Sequence, residues 1–419
     1  MLKKTTVTTV GLASCLIAIG GSPALAGEPA QEQTEAIFAA TGARHGLVVH
    51  VGCRDGRLTA ALHRNGANVV HGLDADAAHV AQARQHVQSL GLYGPVSVER
   101  WDAPFLPYVA NLVTLLVVEG ETKIPRAEML RVLAPRGVAY LKQGDKWAKL
   151  VKPVPKETDE WTHYLHDASG NPVARDTVVG PPRSLQWVAG QVHGRSHEYT
   201  SSVSTVVSTA GRIFYISDLG PTFPLKGPAD WQIVARDGYN GLLLWRRPIR
   251  PWFSHLCGWT QAPRELQRRM VAVGDRVYVT MGYFGEIHAL DAATGKTVKT
   301  YPQTAGAEEV ICHQGVLLAV VREITDAQRA GFDKLAALTR EPDSVLHRRD
   351  TGREQFKLFR RTERSAKRSL VALDAATGKT LWTLSQKDMR GIRPLSLRAA
   401  GHCVYYQGRE TTCLELRTG

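Results

Sequence analysis

Two glycines and a carboxylate near the start of the chain have the types and spacing of a site for a nucleotide-like cofactor. Gly52 and Gly56 follow the apolar run 46–51, and Asp74 follows a second apolar run. Glycine lets the backbone of such a turn approach a ligand closely, and a carboxylate after the next strand can bind both hydroxyls of a ribose. The pattern therefore indicates binding of a nucleotide-type ligand.

Alternating strands and helices are predicted around these residues, over residues 32–150. Apolar runs typical of buried parallel strands occur at 46–51, 67–73, 96–100 and 112–118. Segments in helical register follow the first two runs, at 57–62 and from about residue 77 to residue 90. This alternation predicts an α/β, Rossmann-like domain with a doubly wound parallel sheet.

The order of these pieces resembles class I S-adenosylmethionine-dependent methyltransferases. Val51-Gly-Cys-Arg-Asp-Gly56 resembles the first motif of that family, and Gly72-Leu-Asp74 resembles its ribose-binding position. Asp102-Ala103 resembles the adenine-edge motif, and residues 128–137 resemble the run before the fifth strand. The resemblance implies S-adenosylmethionine as cofactor and the following binding residues: Gly52, Cys53, Gly56, Asp74 and Asp102.

Three positions depart from the family pattern. His50 stands where the family usually has an acidic residue, Arg54 replaces a glycine, and Asn111 replaces an acidic residue before the fourth strand. The Arg54 side chain either crowds the methionine end of the cofactor or points to solvent. We identify no catalytic residue, although methyl transfer needs mainly alignment of nucleophile and methyl group. A working cofactor site and a retained fold without one both stay open.

The second half of the chain is organised by an internal repeat. Ala-Leu-Asp-Ala-Ala-Thr-Gly-Lys-Thr occurs at 289–297 and again, unchanged, at 372–380. Looser copies surround Asp237 and Glu415, and each copy follows an alternating apolar run. A strand, a strand ending in Asp, a turn and a further strand together predict one blade of a β-propeller.

Tryptophans follow the repeat at a fixed distance. Trp245 and Trp382 lie four residues after the repeat glycine, whereas Lys299 takes this place in the second copy. A ring of this size can wedge between neighbouring blades. The pattern resembles the repeat of quinoprotein (PQQ-type) propellers, and residues 183–187 resemble the strand with which such propellers begin and close their ring.

The propeller is predicted to be incomplete. Residues 201–419 provide about four blades, and the last lacks its final strand. Propellers that resemble this one commonly have more blades, so we expect a chain that is the N-terminal part of a longer protein. Closure as a four-bladed ring is the alternative.

Composition and charge indicate an ordinary globular chain. Apolar residues make up 43% and charged residues 22% of 419 residues, which predicts two domains or one large one. The net charge is +13, but residues 322–368 alone hold thirteen Lys and Arg against eight Asp and Glu. No nucleic-acid motif accompanies this segment, so we expect a solvated helical insertion and no nucleic-acid partner.

The first 26 residues have the pattern of an export signal. Lys3 and Lys4 precede an apolar run, and Ala24-Leu-Ala26 fits a signal-peptidase site, which predicts cleavage near Ala26 and a periplasmic or cell-envelope location. Leu12-Ala-Ser-Cys15 also resembles a lipoprotein box. Membrane association is expected only if Cys15 is lipidated.

The join at 151–200 contains several histidines and carboxylates. Those that could gather around a metal are Asp159, His163, His166, Asp167, His193 and His197. Their spacing matches no zinc motif, and the cysteines form no Cys-x-x-Cys pair, so we predict no metal site. Instead we expect this linker to pack its histidines and aromatic side chains against the first blade.

Two classes of function follow. In the first, the protein is an exported methyltransferase whose propeller presents an unidentified acceptor. In the second, it is a scaffold that binds a protein partner through a propeller face, resembling the outer-membrane assembly lipoprotein, with an inactive first domain. A PQQ-dependent dehydrogenase ranks last, because we find no cluster of PQQ and calcium ligands and no haem motif. We therefore do not expect PQQ as a cofactor.

Overall fold

A parallel sheet flanked by helices forms the first part of the computed structural model, and antiparallel sheets form the second. The export segment 1–26, including Cys15, lies outside the described residues, as do His193, His197 and most of the charged insertion. The structure describes residues 28–43, 45–64, 66, 68–181, 184–189, 203–220, 229–249, 252, 266–338, 357, 366–389, 391–393 and 395–419.

The first sheet has six strands in the order β3-β2-β1-β4-β5-β6. Its strands are β1 (Gly46–Val51), β2 (Asn68–Asp74), β3 (Val96–Arg100), β4 (Val113–Val118), β5 (Leu133–Gln143) and β6 (Lys146–Val151). The first five are parallel, and β6 returns antiparallel to β5. The accompanying helices are α1 (Glu28–Thr41), α2 (Arg57–Ala61), α3 (Ala77–Ser89) and α4 (Arg126–Val132).

The predicted α/β domain is therefore confirmed, down to the bounds of β1 and β3. Side chains of β1 alternate between two buried clusters, with Val48 on one face and Val49 on the other. A sheet covered on both faces explains why its strands are apolar at consecutive positions. One boundary differs from the sequence prediction: β5 begins at Leu133, inside the run 128–137 that was expected to precede it.

Four antiparallel sheets follow, which we call blades 1 to 4. Blade 1 contains β7 (Val203–Thr209), β8 (Arg212–Asp218), β9 (Trp231–Asp237) and β10 (Leu243–Pro248). Blade 2 contains β11 (Met270–Val273), β12 (Arg276–Thr280), β13 (Ile287–Asp291) and β14 (Thr297–Tyr301). Blade 3 contains β15 (Ala307–His313), β16 (Val316–Arg322), β17 (Arg368–Asp374) and β18 (Thr380–Leu384). Blade 4 contains β19 (Arg398–Ala400), β20 (Cys403–Gln407) and β21 (Thr411–Glu415).

Helices in this half are few among the described residues. They are α5 (Asp326–Leu338), α6 (Gln386–Met389) and two short 3-10 turns at Leu266–Arg268 and Pro302–Thr304. The predicted helix in the charged insertion is thus present as α5, and its Phe332 is buried in the core of blades 1 and 2. No helix in the described ranges is long and apolar enough to span a bilayer.

The repeat turn has the predicted chemistry. In blade 2, Asp291 accepts hydrogen bonds from the backbone N–H and the hydroxyl of Thr294, both at 2.8 Å. Gly295 follows with φ +70°, a value that favours glycine. Because both copies of the nine-residue repeat form this turn, the exact repetition in sequence corresponds to repetition in structure.

Tryptophans join successive blades as expected. Trp245 of blade 1 donates from Nε1 to the carbonyl of Ala292 in blade 2 at 3.1 Å, and its ring lies over Gly295. Trp382 makes the same contact with Leu416 at 3.0 Å. Trp187 donates from Nε1 to the carbonyl of Gly238 in blade 1 at 3.1 Å, although residues 184–189 form no strand.

The blade pair without a tryptophan uses a tyrosine instead. Tyr301 of blade 2 is buried and donates its hydroxyl to the carbonyl of Ala375 at 2.5 Å, the position that a tryptophan contacts elsewhere. Lys299 donates to the carbonyl of Thr377 at 2.8 Å. The second repeat copy therefore keeps the interblade hydrogen bond despite its different sequence.

The join crosses all four blades, whereas the sequence predicted contact with the first only. Each blade donates one backbone N–H from its first strand to the join, at 2.6–3.2 Å. The donors are Ser208, Ala272, Cys312 and Ala399, and their acceptors are, in order, Trp161, Thr162, His163 and Ala168. Since the first strands of neighbouring blades contact one another, this join segment runs along the inner side of the propeller.

Candidate cofactor site at the carboxyl edge of the sheet

The loop after β1 has the backbone conformation of a ligand-binding turn. Gly52, Arg54 and Gly56 all have positive φ, at +82°, +46° and +79°. Arg54 thus keeps the conformation of the glycine that it replaces, and its side chain is exposed rather than folded over the loop. Of the two expectations for Arg54, the structure supports solvent exposure.

Close packing explains both glycines. A Cβ on Gly52 would collide with the carbonyl of Glu119, and a Cβ on Gly56 would lie 2.8 Å from Cα of Ala83 in α3. Side chains at either position would push the loop away from β4 or from α3. The glycine spacing that indicated a cofactor loop is therefore also a packing requirement of the fold.

Asp74 at the end of β2 fixes this loop. Its Oδ2 accepts from the Arg54 N–H at 2.9 Å, and its Oδ1 accepts from the Asp76 N–H at 3.0 Å and faces Nδ1 of His79 at 3.2 Å. Burial raises the pKa of Asp74, but these backbone hydrogen bonds and His79 outweigh it and hold the pKa below its usual value. The carboxylate is ionised at neutral pH.

Asp102 and Cys53 lie nearby in different environments. In the sheet register, Asp74 of β2 lies opposite Arg100 of β3, and Asp102 follows two residues later. Asp102 is exposed, and Nζ of Lys123 donates a hydrogen bond to its carboxylate at 3.0 Å. Cys53 is buried, and burial together with the charge of Asp74 raises the pKa of its thiol to about 12. A neutral thiol is a poor nucleophile, so only the backbone of Cys53 is suited to a ligand.

The sequence analysis named His50 but missed the carboxylate that lies beside it near the loop. His50 on β1 is 1% exposed; its Nδ1 lies 2.8 Å from the Thr59 hydroxyl and its Nε2 lies 3.5 Å from Oε2 of Glu119. Glu119 follows directly after β4. Because the strand order reverses between β1 and β4, this pair lies at the topological switch point, where open α/β sheets bind ligands.

Glu119 is held as an anion. Gln33 of α1 and Lys142 of β5 donate to its Oε1 at 2.9 and 3.2 Å. The adjacent His50 imidazole is the main cause that lowers the pKa of Glu119 to about 2, against the opposing effect of burial. Such a carboxylate is a weak base but a fixed negative charge. An acidic residue directly after the apolar run 112–118 was the available signal for it.

The first blade contacts the opposite edge of the sheet. Asn240, in its repeat turn, lies 3.4 Å from the carbonyl of Leu112 and 3.3 Å from the hydroxyl of Thr114, at the start of β4. His45, before β1, lies 3.5 Å from Asp237 of the same turn. Blade 1 therefore contacts the amino edge of the parallel strands, whereas the loop 52–56 lies at their carboxyl edge.

The carboxylates and histidines of the join have protein partners. His166 is buried with Nε2 2.8 Å from Asp159, and Asp167 accepts from the Ser169 N–H at 2.9 Å. Across the described part of the chain, no group of three or more His, Cys, Asp or Glu side chains is placed to hold a metal ion.

Two family models match the chain. Residues 48–137 match a model described as a methyltransferase domain, and residues 229–419 match one described as outer membrane protein assembly factor BamB. Together with the sheet order and the repeated blades, these matches define the class of protein. The chain joins a methyltransferase domain to a BamB-like, PQQ-type repeat domain.

Solved structures are similar to part of the chain. The geranyl diphosphate C-methyltransferase of Streptomyces coelicolor is 18% identical with a TM-score of 0.25, and covers 29% of this chain and 52% of its own. The YcgJ protein of Bacillus subtilis is 19% identical with a TM-score of 0.24, and covers 26% and 49%. The chain spans about half the length of these structures. No curated protein is significantly similar to it.

Proposed function

We propose that the methyltransferase domain binds S-adenosylmethionine at the carboxyl edge of the sheet and transfers its methyl group to an acceptor. The observation that carries this proposal is the loop 52–56, with three positive φ angles, held by the ribose-position carboxylate Asp74. The position of Asp102 after the adjacent strand β3 supports its assignment to the adenine edge.

The residues present fit this cofactor. Oδ2 of Asp74 accepts one hydrogen bond and can accept a second from a ribose hydroxyl. Oδ1 can accept a hydrogen bond from the other hydroxyl when the half-exposed His79 side chain turns away. Glu119 supplies a fixed negative charge at the switch point. S-adenosylmethionine supplies a methyl group on a positively charged sulfur, together with a primary ammonium group.

Glu119 is therefore suited to cofactor binding rather than to proton abstraction. A carboxylate with a pKa of about 2 does not deprotonate an acceptor near neutral pH. Its charge attracts a cationic ligand before the reaction, when the positive charge is greatest, so we expect it to affect affinity more than the rate of transfer.

Calorimetry of the full chain with S-adenosylmethionine and S-adenosylhomocysteine tests this proposal. We expect binding that Asp74→Ala weakens about tenfold or more, because charge-assisted hydrogen bonds are each worth about 1.5–3 kcal/mol. Asp145→Ala is the charge-matched control: Asp145 is exposed in the turn between β5 and β6 and should leave affinity unchanged. Equal affinity in the two variants would refute the assignment of Asp74.

A binding scaffold is the second candidate function. Asp74 already has three internal partners and Arg54 occupies a glycine position, as a cofactor site that has lost its role would. The propeller would then be the working part and would bind a protein partner. A correctly folded chain that binds neither cofactor at millimolar concentration would favour this function over the first.

We also propose that the protein is exported to the periplasm or cell envelope. Support comes from the charged and apolar pattern of residues 1–26 and from the BamB-like repeat model. Fusion of residues 1–40 to alkaline phosphatase, which is active only after export, should give an active reporter. A Lys3→Glu, Lys4→Glu variant should reduce its export, and an inactive wild-type fusion would argue against a signal.

A further inference from the structure

A cavity of about 410 Å³ lies where the methyltransferase domain, the join and blade 1 meet. Arg136 at the start of β5, Glu160 of the join, and Arg212 and Tyr239 of blade 1 line it. It lies at the amino edge of the parallel strands, whereas loop 52–56 lies at the carboxyl edge. A six-residue strand such as β1 separates the two edges by roughly 17 Å. The cavity is therefore distinct from the cofactor site.

The carboxylates on its wall are occupied by the protein. Glu160 accepts from the Ala210 N–H at 2.7 Å and from the Thr209 hydroxyl at 2.9 Å. Asp159 accepts from His166 and from the Arg175 N–H, both at 2.8 Å. Both carboxylates keep their charge, but their oxygens are occupied by protein donors and are less available to bind a ligand.

The guanidinium groups on the wall retain free donors. The Nε atom of Arg212 is buried without a hydrogen-bond partner, and its Nη1 reaches Asp275 only at 3.8 Å. Arg136 is exposed, and among the described residues no carboxylate pairs with it. The positive charge of Arg136 acts on Arg212, and a bound anion would offset this repulsion. Planar guanidinium groups suit carboxylate and phosphate oxygens.

The remaining wall offers apolar surface. Pro135, Val154 and Ile213 line the cavity, and its volume is within the range of small-molecule sites, which often occur between domains. We infer that this interdomain cavity binds a small molecule with a phosphate or carboxylate head, held by Arg136 and Arg212, and an apolar body. Ligand binding there would also strengthen the contact between the two domains.

Calorimetry of the full chain with phenyl phosphate, benzoate and benzylamine tests the inference. The two anions should bind and the cationic amine, which has a similar body, should not. Comparing the anions shows whether phosphate or carboxylate is preferred. Absence of binding by both anions, or equal binding of benzylamine, would overturn the inference.

Substitutions locate the site. Arg212→Gln and Arg136→Gln should each weaken anion binding about tenfold, whereas Arg126→Gln, an exposed residue at the start of α4, should not change it. Arg136 is exposed, so its variant should fold even if that of partly buried Arg212 does not. Equal affinities in the three variants would overturn the inference. Affinity for S-adenosylhomocysteine should be unchanged in all three, which separates this test from that of the cofactor site.

Discussion

Acid should weaken the propeller through one histidine of the join. His163 is 6% exposed, and its Nε2 accepts a hydrogen bond from the Cys312 N–H of blade 3 at 3.2 Å. This nitrogen must carry no proton in the folded protein. Burial is the main cause that lowers the pKa of His163 from 6.5 to about 4, opposed by the charge of Asp167 and assisted by His313 and His166.

The sign and size of the effect follow from this pKa. Between pH 6.5 and 4 the unfolded chain binds a proton at His163 that the folded chain does not bind, so stability is lost as pH falls through this window. From pH 7.5 to pH 5 the expected loss is about 2 kcal/mol. His163→Gln keeps a side-chain acceptor but does not titrate, so it should lack this part of the loss.

Urea unfolding of the full chain, followed by tryptophan fluorescence at the two pH values, measures the effect. Other titrating groups contribute to both proteins and cancel in the difference. Wild type should lose about 2 kcal/mol more free energy of unfolding than His163→Gln. Equal losses would refute the account of a neutral, buried His163 that holds the join against blade 3.

Three further substitutions test the packing. Trp245→Phe keeps an aromatic ring but removes the hydrogen bond to Ala292, and should lower the free energy of unfolding by about 1–2 kcal/mol; an unchanged value would contradict the interblade bond. Tyr301→Phe removes the hydroxyl donor of the buried Ala375 carbonyl and should cost about 1–3 kcal/mol by the same urea assay, so a neutral result would argue against its tryptophan-like role. Gly56→Ala should cost about 1–3 kcal/mol because its φ is +79°, and thermal unfolding as in wild type would contradict the crowding at this loop.

Both folds could be predicted because their signals are local. Short apolar runs separated by helical segments specify a buried parallel sheet, and β1 lies where its run predicted. The repeat specifies turn and strand together, since Asp291 and Thr294 form the turn that their types require. Residue types within a few positions of each other were sufficient for these elements.

The rest depends on contacts between distant segments. Glu119 lies beside His50 because β4 pairs with β1 in the sheet. Tyr301 makes the hydrogen bond that a tryptophan makes between other blades, because its strand faces the repeat turn of the next blade. The contact of blade 1 with the amino edge could not be predicted, because a linker sequence does not specify which edge of a sheet a following domain contacts. The path of the join across four blades is non-local for the same reason.

A crystal structure of the full chain with S-adenosylhomocysteine tests the central claim most directly. We predict the ribose hydroxyls at the Asp74 carboxylate, the adenine ring towards Asp102, and His79 turned away from Asp74. A ligand bound elsewhere on the chain, with the Asp74 contacts to Arg54 and His79 unchanged, would contradict the claim.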